Sequence, residues 1–583
     1  MLIINLSNQV KNIQHQFKAS DKILDLKGKI LQENSLNISF FGDPDHIYPH
    51  GLDLYKSYIQ ELLNPSQKNK DYLDLEIDGL PLFWITETAI KHPITFWAKD
   101  YFLLMAIVDL AVEKINTSFE KLLLILPAEV LLFQADLIPI LQEKGIELEI
   151  VIQKLDPLLN ISLTQVLKSC LNNFLKMSRF SPKKLEASKE LGKYLFIINN
   201  LANKHTRNKI YQPLKNLFEE EGKKLEMIPI LEWTDPSDES VITPEFYRAK
   251  PGFGQLMAMV GNILSAFQKI KKLNIEDVQL GERTYSAEFI RHDLLLSLYH
   301  NIYLFFSFIW LKNYFSMLPK GGVVLLEDEF YRTGKTIITI ARSFGLKSIG
   351  VQHAHFNQVH TVYKFSSEER NASFSNPLPD IFAVWGMHHK QLFEQSGQGS
   401  LPEVLPLGNP SYVMAEKKPI PKGQAAHELL WCLSSKECFL LEWDILKNSQ
   451  LLKKFSLKIR LHPVPHVTKE DVQELLGDYP YEFSGHKVIE QAIEHADLVM
   501  GSAHSTTFID ALVNKRASLR LISNRWVQSF SSESQDLYDI KKTEDLDEVL
   551  EKFSKPGLRG DKAKESDFLI LHKSPWKNFI KSL

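Results

Sequence analysis

Gly501–Ala511 (GSAHSTTFIDA) follows an apolar run at Ala496–Met500 and precedes a helical pattern that begins near Thr506. An apolar strand, a hydroxyl-rich turn and a helix in this order are typical of one βα unit in a parallel sheet. Such a turn directs backbone N–H groups and side-chain hydroxyls to one point at the positive end of a helix dipole. The segment therefore predicts a phosphate site that includes Ser502, Ser505 and Thr506, and the alternative is an ordinary serine N-cap.

A second polar motif, Arg460-Leu-His-Pro463, ends another strand-like run at Leu457–Leu461. In a parallel sheet, nucleotides bind in the crevice outside the carboxyl ends of the strands. Arg460 and His462, with the adjoining Pro463, are therefore expected beside the hydroxyl-rich turn. The two motifs together predict a nucleotide site.

Strand-like runs of the same short, continuous apolar type precede these motifs. They are Leu122–Pro127, Leu148–Ile152, Tyr194–Ile198, Val323–Leu326, Ser348–Gln352 and Ile381–Trp385. Runs of this type are expected where strands are buried on both faces of a parallel sheet. Helical patterns at Ile210–Lys224 and Thr336–Phe344 separate some of them, so right-handed βαβ units are predicted. The apolar run Met1–Leu6 lacks a basic segment and a small-residue cleavage site and is interpreted as a first strand.

Polar and proline-rich breaks divide the chain into three α/β units and a tail. The breaks that mark the division are Met177–Lys193 and Lys417–Gly423. The predicted extents are residues 1–185, 190–385 and 386–555 for the units and 556–583 for the tail. The tail carries an apolar pattern and is expected to pack back onto the middle unit. The predicted fold class is α/β, with doubly wound sheets.

Composition excludes some classes of function. The chain has 583 residues with 68 basic and 71 acidic side chains, and a formal net charge of −3 gives no case for nucleic-acid binding. Its three cysteines form no CxxC pair, so neither a disulfide framework nor a structural zinc site is predicted. Sparse cysteine usage indicates a reducing, cytoplasmic compartment.

The segment Leu294–Leu318 is unusually rich in Leu, Phe and Tyr. Polar residues such as His300, Asn301 and Lys312 interrupt it, whereas a membrane-spanning helix needs about twenty predominantly apolar residues. A buried helix is therefore predicted. The alternative is a helix that docks at a membrane interface.

Carboxylates follow the strand-like run at Val323–Leu326, at Glu327, Asp328 and Glu329. A carboxylate at a strand end can take the proton of a hydroxyl nucleophile as it attacks. The alternative is a solvated acidic loop that caps the next helix. The following Thr333-Gly-Lys-Thr336 has the form of a P-loop, but the three acids would face the phosphates and repel them. An NTPase is therefore not predicted.

Gln352, His353 and His355 follow the next strand-like run. The spacing of His353, His355 and His360 loosely suits a metal ion, but no nearby Cys or Asp completes a ligand set, so no metal is predicted. Gln352 and His353 are instead expected to contact the acceptor or a donor phosphate. A purely structural role for them is the alternative.

These motifs, in this order, resemble those of bacterial surface-polysaccharide glycosyltransferases with the GT-B fold. Families with the pattern are the CMP-sugar-using sialyl- and Kdo-transferases, the capsule synthesis proteins and the CDP-glycerol glycerophosphotransferases. The resemblance covers roughly residues 194–525. It rests on Tyr211–Leu214 (YQPL), Glu327, Gly350–His353 (GVQH), Val384–Gly386 (VWG), Leu405–Pro410 (LPLGNP), Arg460–Pro463 (RLHP) and Ala496–Thr506 (ADLVMGSAHST).

The resemblance implies a GT-B-like pair of Rossmann-type units. Residues 190–385 would form the acceptor-side unit and residues 386–555 the unit that binds the nucleotide sugar. An additional N-terminal α/β unit, residues 1–185, lies outside the motif match, and its role is unknown.

The resemblance also implies roles for individual residues. His462 and Pro463 match an HP motif that binds the donor phosphate, and Ser505 with Thr506 is most similar to a hydroxyl pair that also contacts phosphate. In the acidic motif that carries the base, the matching residues are Glu327 and Asp328, with Glu327 favoured. The sequence departs from the family at the next position, where Glu329 replaces a glycine.

The activity implied by the resemblance is inverting, metal-independent glycosyl transfer without a cofactor. The donor that fits best is a CMP-linked nonulosonic acid such as Kdo or a sialic-acid-like sugar. The acceptor would be a glycan or lipid-linked chain such as O-antigen, lipopolysaccharide or capsule, which places the protein in the cytoplasm or at the inner face of the cytoplasmic membrane. The alternatives are a non-catalytic GT-B scaffold that binds nucleotide or glycan, and a UDP-sugar epimerase.

Overall fold

The computed structural model describes the chain in segments. The described residues are 2–5, 22–25, 44–63, 72–84, 98–126, 142, 147–152, 161–179, 192–198, 210–229, 249–280, 283–285, 288–327, 330–353, 355–356, 361–363, 365, 367–371, 376–395, 399–414, 427–434, 436–462, 467–486, 488–502, 505–522, 537–554 and 569–583.

The N-terminal unit is built on a four-stranded parallel sheet. Its elements are β1 (Leu2–Asn5), β2 (Lys22–Asp25), α1 (Pro44–Leu63), β3 (Glu76–Ile77), β4 (Leu80–Pro81), α2 (Ala98–Ser118), β5 (Leu122–Leu126), β6 (Leu148–Ile152) and α3 (Leu163–Arg179). The sheet order is β2-β1-β5-β6, and β3 and β4 form a separate antiparallel pair. The first strand, predicted from the apolar N-terminal run, is confirmed by β1, whose Leu2, Ile3 and Ile4 are buried.

The middle unit contains a six-stranded sheet in which each strand runs parallel to its neighbours. Its elements are β7 (Tyr194–Ile198), α4 (Gln212–Glu220), β8 (Leu225–Pro229), α5 (Phe253–Lys271), β9 (Val278–Leu280), β10 (Arg283–Tyr285), α6 (Glu288–His300), α7 (Ile302–Phe315), β11 (Val323–Leu326), α8 (Arg332–Ser343), β12 (Lys347–Val351), a 3₁₀ turn (Thr361–Tyr363), α9 (Ser367–Asn371), β13 (Ile381–Val384), α10 (Met387–Glu394), β14 (Glu403–Pro406) and α11 (Pro410–Met414). The strand order is β14-β13-β12-β11-β7-β8. The sheet includes β14, which lies past the boundary predicted at residues 385/386, because the loop after β13 leads into one more crossover.

The C-terminal unit contains a second six-stranded parallel sheet. Its elements, followed by the tail helix, are β15 (Glu428–Cys432), α12 (Lys436–Leu446), a 3₁₀ turn (Leu452–Lys454), β16 (Ser456–Arg460), α13 (Lys469–Leu476), β17 (Glu482–Phe483), α14 (Ile489–His495), β18 (Leu498–Ser502), α15 (Thr507–Val513), β19 (Ala517–Leu521), β20 (Leu537–Ile540), α16 (Thr543–Phe553) and α17 (Ser574–Ser582). The order β17-β16-β15-β18-β19-β20 is 3-2-1-4-5-6 in the unit's own numbering, which is the Rossmann order. The predicted α/β fold, with paired Rossmann-type units and an additional N-terminal α/β unit, is confirmed.

The N-terminal and middle units share one hydrophobic core. The cluster extends from β1 through α1 and α2 to α7 and the face of the middle sheet that carries Leu195 and Leu326. Helix α7 is buried around most of its circumference, including Phe305, Trp310 and Tyr314, so the burial predicted for Leu294–Leu318 is confirmed in α7. The segment forms parts of two helices, α6 and α7, where one helix was predicted. In the described part of the chain, no single helix is long and apolar enough to cross a membrane. The pair α6 and α7, bent by 62°, meets that test only on length and composition.

The tail helix α17 packs against the opposite face of the middle sheet. Trp576, Phe579 and Ile580 join the cluster formed by β7, β11, β12 and α4. The Trp576 indole N–H donates to the Gly408 carbonyl at 2.9 Å. Gly408 has φ +88°, and a Cβ there would lie 2.8 Å from the carbonyl oxygen of Ile570. Only glycine therefore fits where the tail crosses the LPLGNP motif.

Candidate functional site

Both Rossmann-type sheets reverse their winding direction at a point where polar residues follow the strands. In the C-terminal unit this switch lies between β15 and β18, which are followed by Ser434 and Ser502. In the middle unit it lies between β7 and β11, and Glu327 follows β11. The crevice outside the strand ends at a switch point is where ligands bind in open α/β sheets. The residues singled out in the sequence thus lie at the ligand-binding edges of both sheets.

On the middle unit, His353 is oriented by the main chain of Glu327. The His353 Nδ1 lies 2.8 Å from the Glu327 carbonyl oxygen. A carbonyl oxygen only accepts, so Nδ1 carries a proton, and in the neutral imidazole Nε2 is then the nitrogen that can accept one. Glu327 itself is buried, with 5% of its surface exposed. Asp328, the other candidate base, and Glu329, which replaces the glycine of the family motif, lie outside the described residues.

Gln352 joins two strand ends inside the middle unit. Its Oε1 accepts the backbone N–H of Trp385 at 2.9 Å, and its carbonyl accepts the Trp385 indole N–H at 2.8 Å. Gln352 is fully buried. The side-chain oxygen of Gln352 is therefore used in a hydrogen bond that links the GVQH motif to the VWG motif. The substrate contact predicted for Gln352 stays a prediction.

His355 lies below this edge in an aromatic environment. Its Nδ1 is 3.1 Å from Nε2 of His389, and both rings are buried. The His355 ring also meets Phe508 of α15 edge-on, with centroids 5.6 Å apart. His360, the third member of the loosely metal-like spacing, lies outside the described residues.

The contacts of His355 belong to a junction between the two Rossmann-type units. Trp385 and Tyr412 of the middle unit cluster with Phe508 and Ile509 of α15 and with Leu569 of the tail. The Tyr412 hydroxyl donates to Asp510 Oδ1 at 2.9 Å. Burial, and then the Asp510 charge, raise the pKa of Tyr412 well above its usual value, so this hydroxyl keeps its proton.

The junction residues lie close along the chain to candidate residues of both units. Phe508, which contacts His355, comes directly after Thr507, and His353 is two residues before His355. The strand end with His353 and the turn with Ser505–Thr507 therefore each adjoin, along the chain, one partner of the His355–Phe508 contact.

A buried carboxylate ties the strand ends of the C-terminal switch point together. Glu442 of α12, which is fully buried, accepts the Ser502 hydroxyl at Oε1 and the Trp431 indole N–H, 2.9 Å away, at Oε2. The Ser434 and Ser502 hydroxyl oxygens lie 2.6 Å apart. Since the Ser502 proton is directed to Glu442, the Ser434 hydroxyl is the donor between the two serines. The Ser502 side chain is thus used inside the unit, and its predicted phosphate contact stays a prediction.

The turn after β18 satisfies part of its own hydrogen-bonding capacity. Ser505 N–H donates to the Ser502 carbonyl at 2.9 Å, and Thr507 N–H donates to Ser505 Oγ at 3.2 Å. The Ser505 hydroxyl donates to Thr507 Oγ1 at 2.9 Å. Thr506 is the residue before α15, which has seven residues, and Ser505, Thr506 and Thr507 are half-buried. The helix start predicted near Thr506 is confirmed to within one residue.

The end of β16 supplies Arg460 and His462 to the same edge of the sheet. Arg460 is half-buried, and its Nη1 donates to the His486 carbonyl at 2.7 Å, which joins the ends of β16 and β17. His462 is exposed, and Pro463 lies outside the described residues. Strand β16 is adjacent to β15, so Arg460 and His462 lie one strand away from the Ser434–Ser502 pair.

The lysine of the P-loop-like run lies in the interior of the middle unit. Lys335 is fully buried, and its Nζ donates to Asn376 Oδ1 at 3.1 Å. Burial lowers the pKa of Lys335 well below its usual value, although the charge of Glu369 acts in the opposite direction. A lysine in this position packs within the fold, and this agrees with the prediction against an NTPase.

Sequence reasoning missed several residues that the structure brings to these edges. They are Trp431, Ser434 and Glu442 at the C-terminal switch point and His389, Tyr412 and Asp510 at the junction. The apolar run ELLWC at β15 ends two residues before Ser434, so it could have indicated a polar residue at a strand end. Glu442 had no such signal, because one acid in an amphipathic helix is expected to face solvent.

Searches of solved structures find proteins of similar architecture at low identity. One is MurG from Acinetobacter baumannii (12% identity, 62% of this chain and 90% of that chain, TM-score 0.28). Another is the wall teichoic acid polymerase TagF soaked with CDPG (9%, 67% and 85%, TM-score 0.32). A third is UDP-GlcNAc 2-epimerase from Neisseria meningitidis bound to UDP-GlcNAc (11%, 67% and 98%, TM-score 0.36).

These similarities concern architecture alone. Transferases and epimerases both occur among the similar structures. No protein-family model and no curated protein sequence matches the chain. The fold rests on strand order. Each of its two six-stranded parallel sheets carries polar residues at its switch point.

Proposed function

We propose that this protein is a nucleotide-sugar-dependent glycosyltransferase of the GT-B type. The proposal is carried by one observation: two Rossmann-type sheets meet at a junction formed by residues that follow β13 and β18, Trp385 and Phe508 among them. One edge carries the cationic Arg460, the imidazole of His462 and the hydroxyl-bearing turn, and the other carries Glu327 and His353. A donor phosphate and an acceptor hydroxyl need these two kinds of group.

The C-terminal edge is suited to the leaving nucleotide. Arg460, His462 and the Ser505–Thr507 turn would hold the donor phosphate, with Pro463 shaping the loop as the HP motif implies. Fixed donors of this kind stabilise charge that develops on a leaving phosphate, and they need no metal to do so. Ser502 would act mainly by holding the turn in place through Glu442.

The middle edge is suited to activating the acceptor. Glu327 or Asp328 would take the proton of the acceptor hydroxyl, as the resemblance implies. His353 is a third candidate, because its protonated Nδ1 is held by the Glu327 carbonyl and its Nε2 can accept. Direct attack by the activated hydroxyl on the anomeric carbon would proceed with inversion.

The substrates remain those implied by the sequence motifs. We propose a CMP-linked nonulosonic acid, such as Kdo or a sialic-acid-like sugar, as donor. A growing O-antigen, lipopolysaccharide or capsule chain is proposed as acceptor, at the inner face of the cytoplasmic membrane. The role of residues 1–185 follows from their shared core with the middle unit: they would support the acceptor side as one body.

Nucleotide binding is the first test of the proposal. Thermal unfolding is followed in the presence of CMP, CDP, UDP, GDP and ADP, each at about a hundred times its dissociation constant, where a ligand stabilises the native state by roughly 2.7 kcal/mol. We expect selective stabilisation by CMP that is lost in His462→Ala. The matched control is His427→Ala, which removes an exposed histidine from the opposite end of the neighbouring strand β15. Stabilisation by UDP or CDP alone would redirect the donor, and no shift with any nucleotide would refute the proposal.

Transfer activity separates a transferase from a binding scaffold or an epimerase. With a radiolabelled donor that binds, we expect label in a glycan product and no free epimerised donor. Glu327→Gln keeps the shape of the side chain, and His353→Asn keeps an N–H donor while removing the accepting Nε2. The two variants together identify the base. The variant that removes the base should lower kcat by about 10²–10⁴-fold with nucleotide binding retained. Full activity of both variants would leave Asp328 as the base.

A further inference from the structure

Helix α3 exposes a stripe of leucines along its length. Leu163, Leu167, Leu171 and Leu175 are 43%, 39%, 47% and 45% exposed. Their spacing of four residues places them on one face of the helix. A neighbouring face, with Val166, Cys170 and Met177, is buried in the core, so the helix has an apolar face left over after it has packed.

Helix α5 extends this apolar surface. Phe253 is 71% exposed and Met257 is 46% exposed, one turn apart at the start of the helix. Phe253 meets Phe174 of α3 edge-on, with ring centroids 5.4 Å apart, so the exposed residues of the two helices adjoin. We call Leu163, Leu167, Leu171, Leu175, Phe253 and Met257 the leucine face. Monomeric proteins rarely leave contiguous apolar patches of this kind without an interaction partner.

The two helices that form the leucine face carry positive charge only. The stretches 161–179 and 249–275 contain no Asp or Glu. Their basic residues are Lys168, Lys176, Arg179, Lys250, Lys269, Lys271 and Lys272. Lys168, Lys269 and Lys271 are exposed. An apolar helix face accompanied by Lys and Arg and free of acids is the composition that binds anionic lipid surfaces.

We propose that the leucine face docks the protein onto an anionic lipid bilayer, with α3 lying in the plane of the interface. A second copy of the chain is a poorer occupant, because a face-to-face pair would bring two sets of like charges together. The proposal assigns membrane contact to α3 and α5 and not to Leu294–Leu318, whose helix α7 is buried. It does not rest on the donor or on the transferase reaction.

Vesicle cosedimentation of the full-length protein tests the proposal. The vesicles are phosphatidylcholine with or without phosphatidylglycerol, and the readout is the bound fraction at low and high salt. We expect binding to the anionic vesicles to exceed binding to the neutral ones by about tenfold and to fall with salt. The combined variant L167Q/L171Q/F253S should lower binding by about tenfold or more. These side chains are exposed, so the variant is expected to keep its fold, which its thermal unfolding checks.

The matched control is Leu110→Gln, which changes a leucine that is 52% exposed on α2. It should bind anionic vesicles as the unchanged protein does. The proposal is overturned if the unchanged protein binds neither vesicle, if it binds both equally, or if the combined variant binds normally. Sedimentation velocity without lipid adds a further arm: a dimer that the combined variant abolishes would assign the leucine face to a second copy. Nucleotide-induced stabilisation is also measured in the combined variant. If the variant keeps this stabilisation while it loses vesicle binding, membrane docking is tested separately from the proposed function.

Discussion

Glu442 shows how one buried side chain organises a strand edge from beneath. It receives the Ser502 hydroxyl and the Trp431 indole N–H on its two oxygens, and Ser434 donates to Ser502 above it. A carboxylate accepts at both oxygens, and hydrogen bonds to an ionised acceptor are stronger than those between neutral groups. Residues from β15, β18 and α12 are therefore held together at the switch point by one acceptor.

Glu442→Gln should destabilise the protein although it preserves the side-chain shape. Glutamine has one acceptor and one NH₂ group, so if its oxygen serves Trp431, its NH₂ group meets Ser502, whose hydroxyl must then reverse its bond with Ser434, and both bonds lose their charged acceptor. We expect the free energy of unfolding to fall by about 1–3 kcal/mol, measured by urea denaturation. The control Ser434→Ala, which removes one hydroxyl at the edge of the network, should cost about 1 kcal/mol or less. Equal stability of Glu442→Gln and the unchanged protein would contradict the network.

The thiol of Cys432 should make stability depend on alkaline pH. Burial, only partly opposed by the Arg460 charge, raises the pKa of Cys432 to about 12. Above the ordinary thiol pKa of about 8.5, the unfolded chain releases a proton that the folded protein keeps, so stability falls as pH rises. Urea denaturation between neutral and alkaline pH should show a smaller loss in Cys432→Ala than in the unchanged protein. Identical slopes in both proteins would mean that this thiol ionises normally in the fold.

At the scale of elements, the tail helix α17 completes the core of a unit that is distant in sequence. Trp576 is fully buried against α4 and the middle sheet, and it bonds to the Gly408 carbonyl. Lys573 and Lys577 also pair with Glu220 at 2.9 and 2.8 Å on the rim of this contact. Exposed pairs of this kind contribute little, so the buried indole should dominate docking.

Trp576→Ala should cost about 3–5 kcal/mol of stability, the range for removing a large aromatic side chain from a core. Trp576→Phe keeps much of the apolar area and loses the hydrogen bond to Gly408, so a smaller loss is expected. The free energies of unfolding of the two variants, measured by chemical denaturation, give the comparison. Similar losses for both variants would show that the hydrogen bond, and not the buried area, holds the helix.

At the scale of the whole molecule, the units are joined to different extents. The N-terminal and middle units share a continuous core, whereas the C-terminal unit has its own clusters and meets the middle unit through the smaller group around Trp385 and Phe508. The hydrogen bond from Tyr412 to Asp510 crosses that junction. The C-terminal unit should therefore unfold separately from the rest when the junction is weakened.

Tyr412→Phe should loosen the junction. Loss of the hydroxyl removes a donor to a buried carboxylate, and we expect about 1–3 kcal/mol of destabilisation. Differential scanning calorimetry should show the transition of the C-terminal unit shifted to lower temperature, with the other transition unchanged. The matched control is Tyr538→Phe, whose hydroxyl accepts from Lys552 at an exposed position and should matter little. A uniform shift of all transitions would argue that the three units unfold together.

The strand pattern was predictable where short runs are dominated by apolar residues. The predicted runs at Leu148–Ile152, Tyr194–Ile198 and Val323–Leu326 match β6, β7 and β11 at both ends. Strand β19 is not among the predicted strands, and its sequence ASLRL contains the charged Arg520. That side chain is fully buried, with its Nη2 2.5 Å from Asp539 Oδ1 of β20 and its guanidinium over the Phe508 ring. A buried charge is tolerated when it is paired, and the pairing partner cannot be read from the strand itself.

The alternation of strands and helices and the positions of polar motifs at strand ends can be read from the sequence, because both depend on short-range periodicity and turn chemistry. Which polar side chains are used inside the fold depends on how the elements pack. Ser502 and Gln352 belong to the same motifs as Ser505 and His353, yet they are buried and bonded to Glu442 and Trp385. Those partners lie on other elements, 60 and 33 residues away along the chain. Hydrogen-bond satisfaction of a buried group is a long-range property, so only the packed structure assigns it.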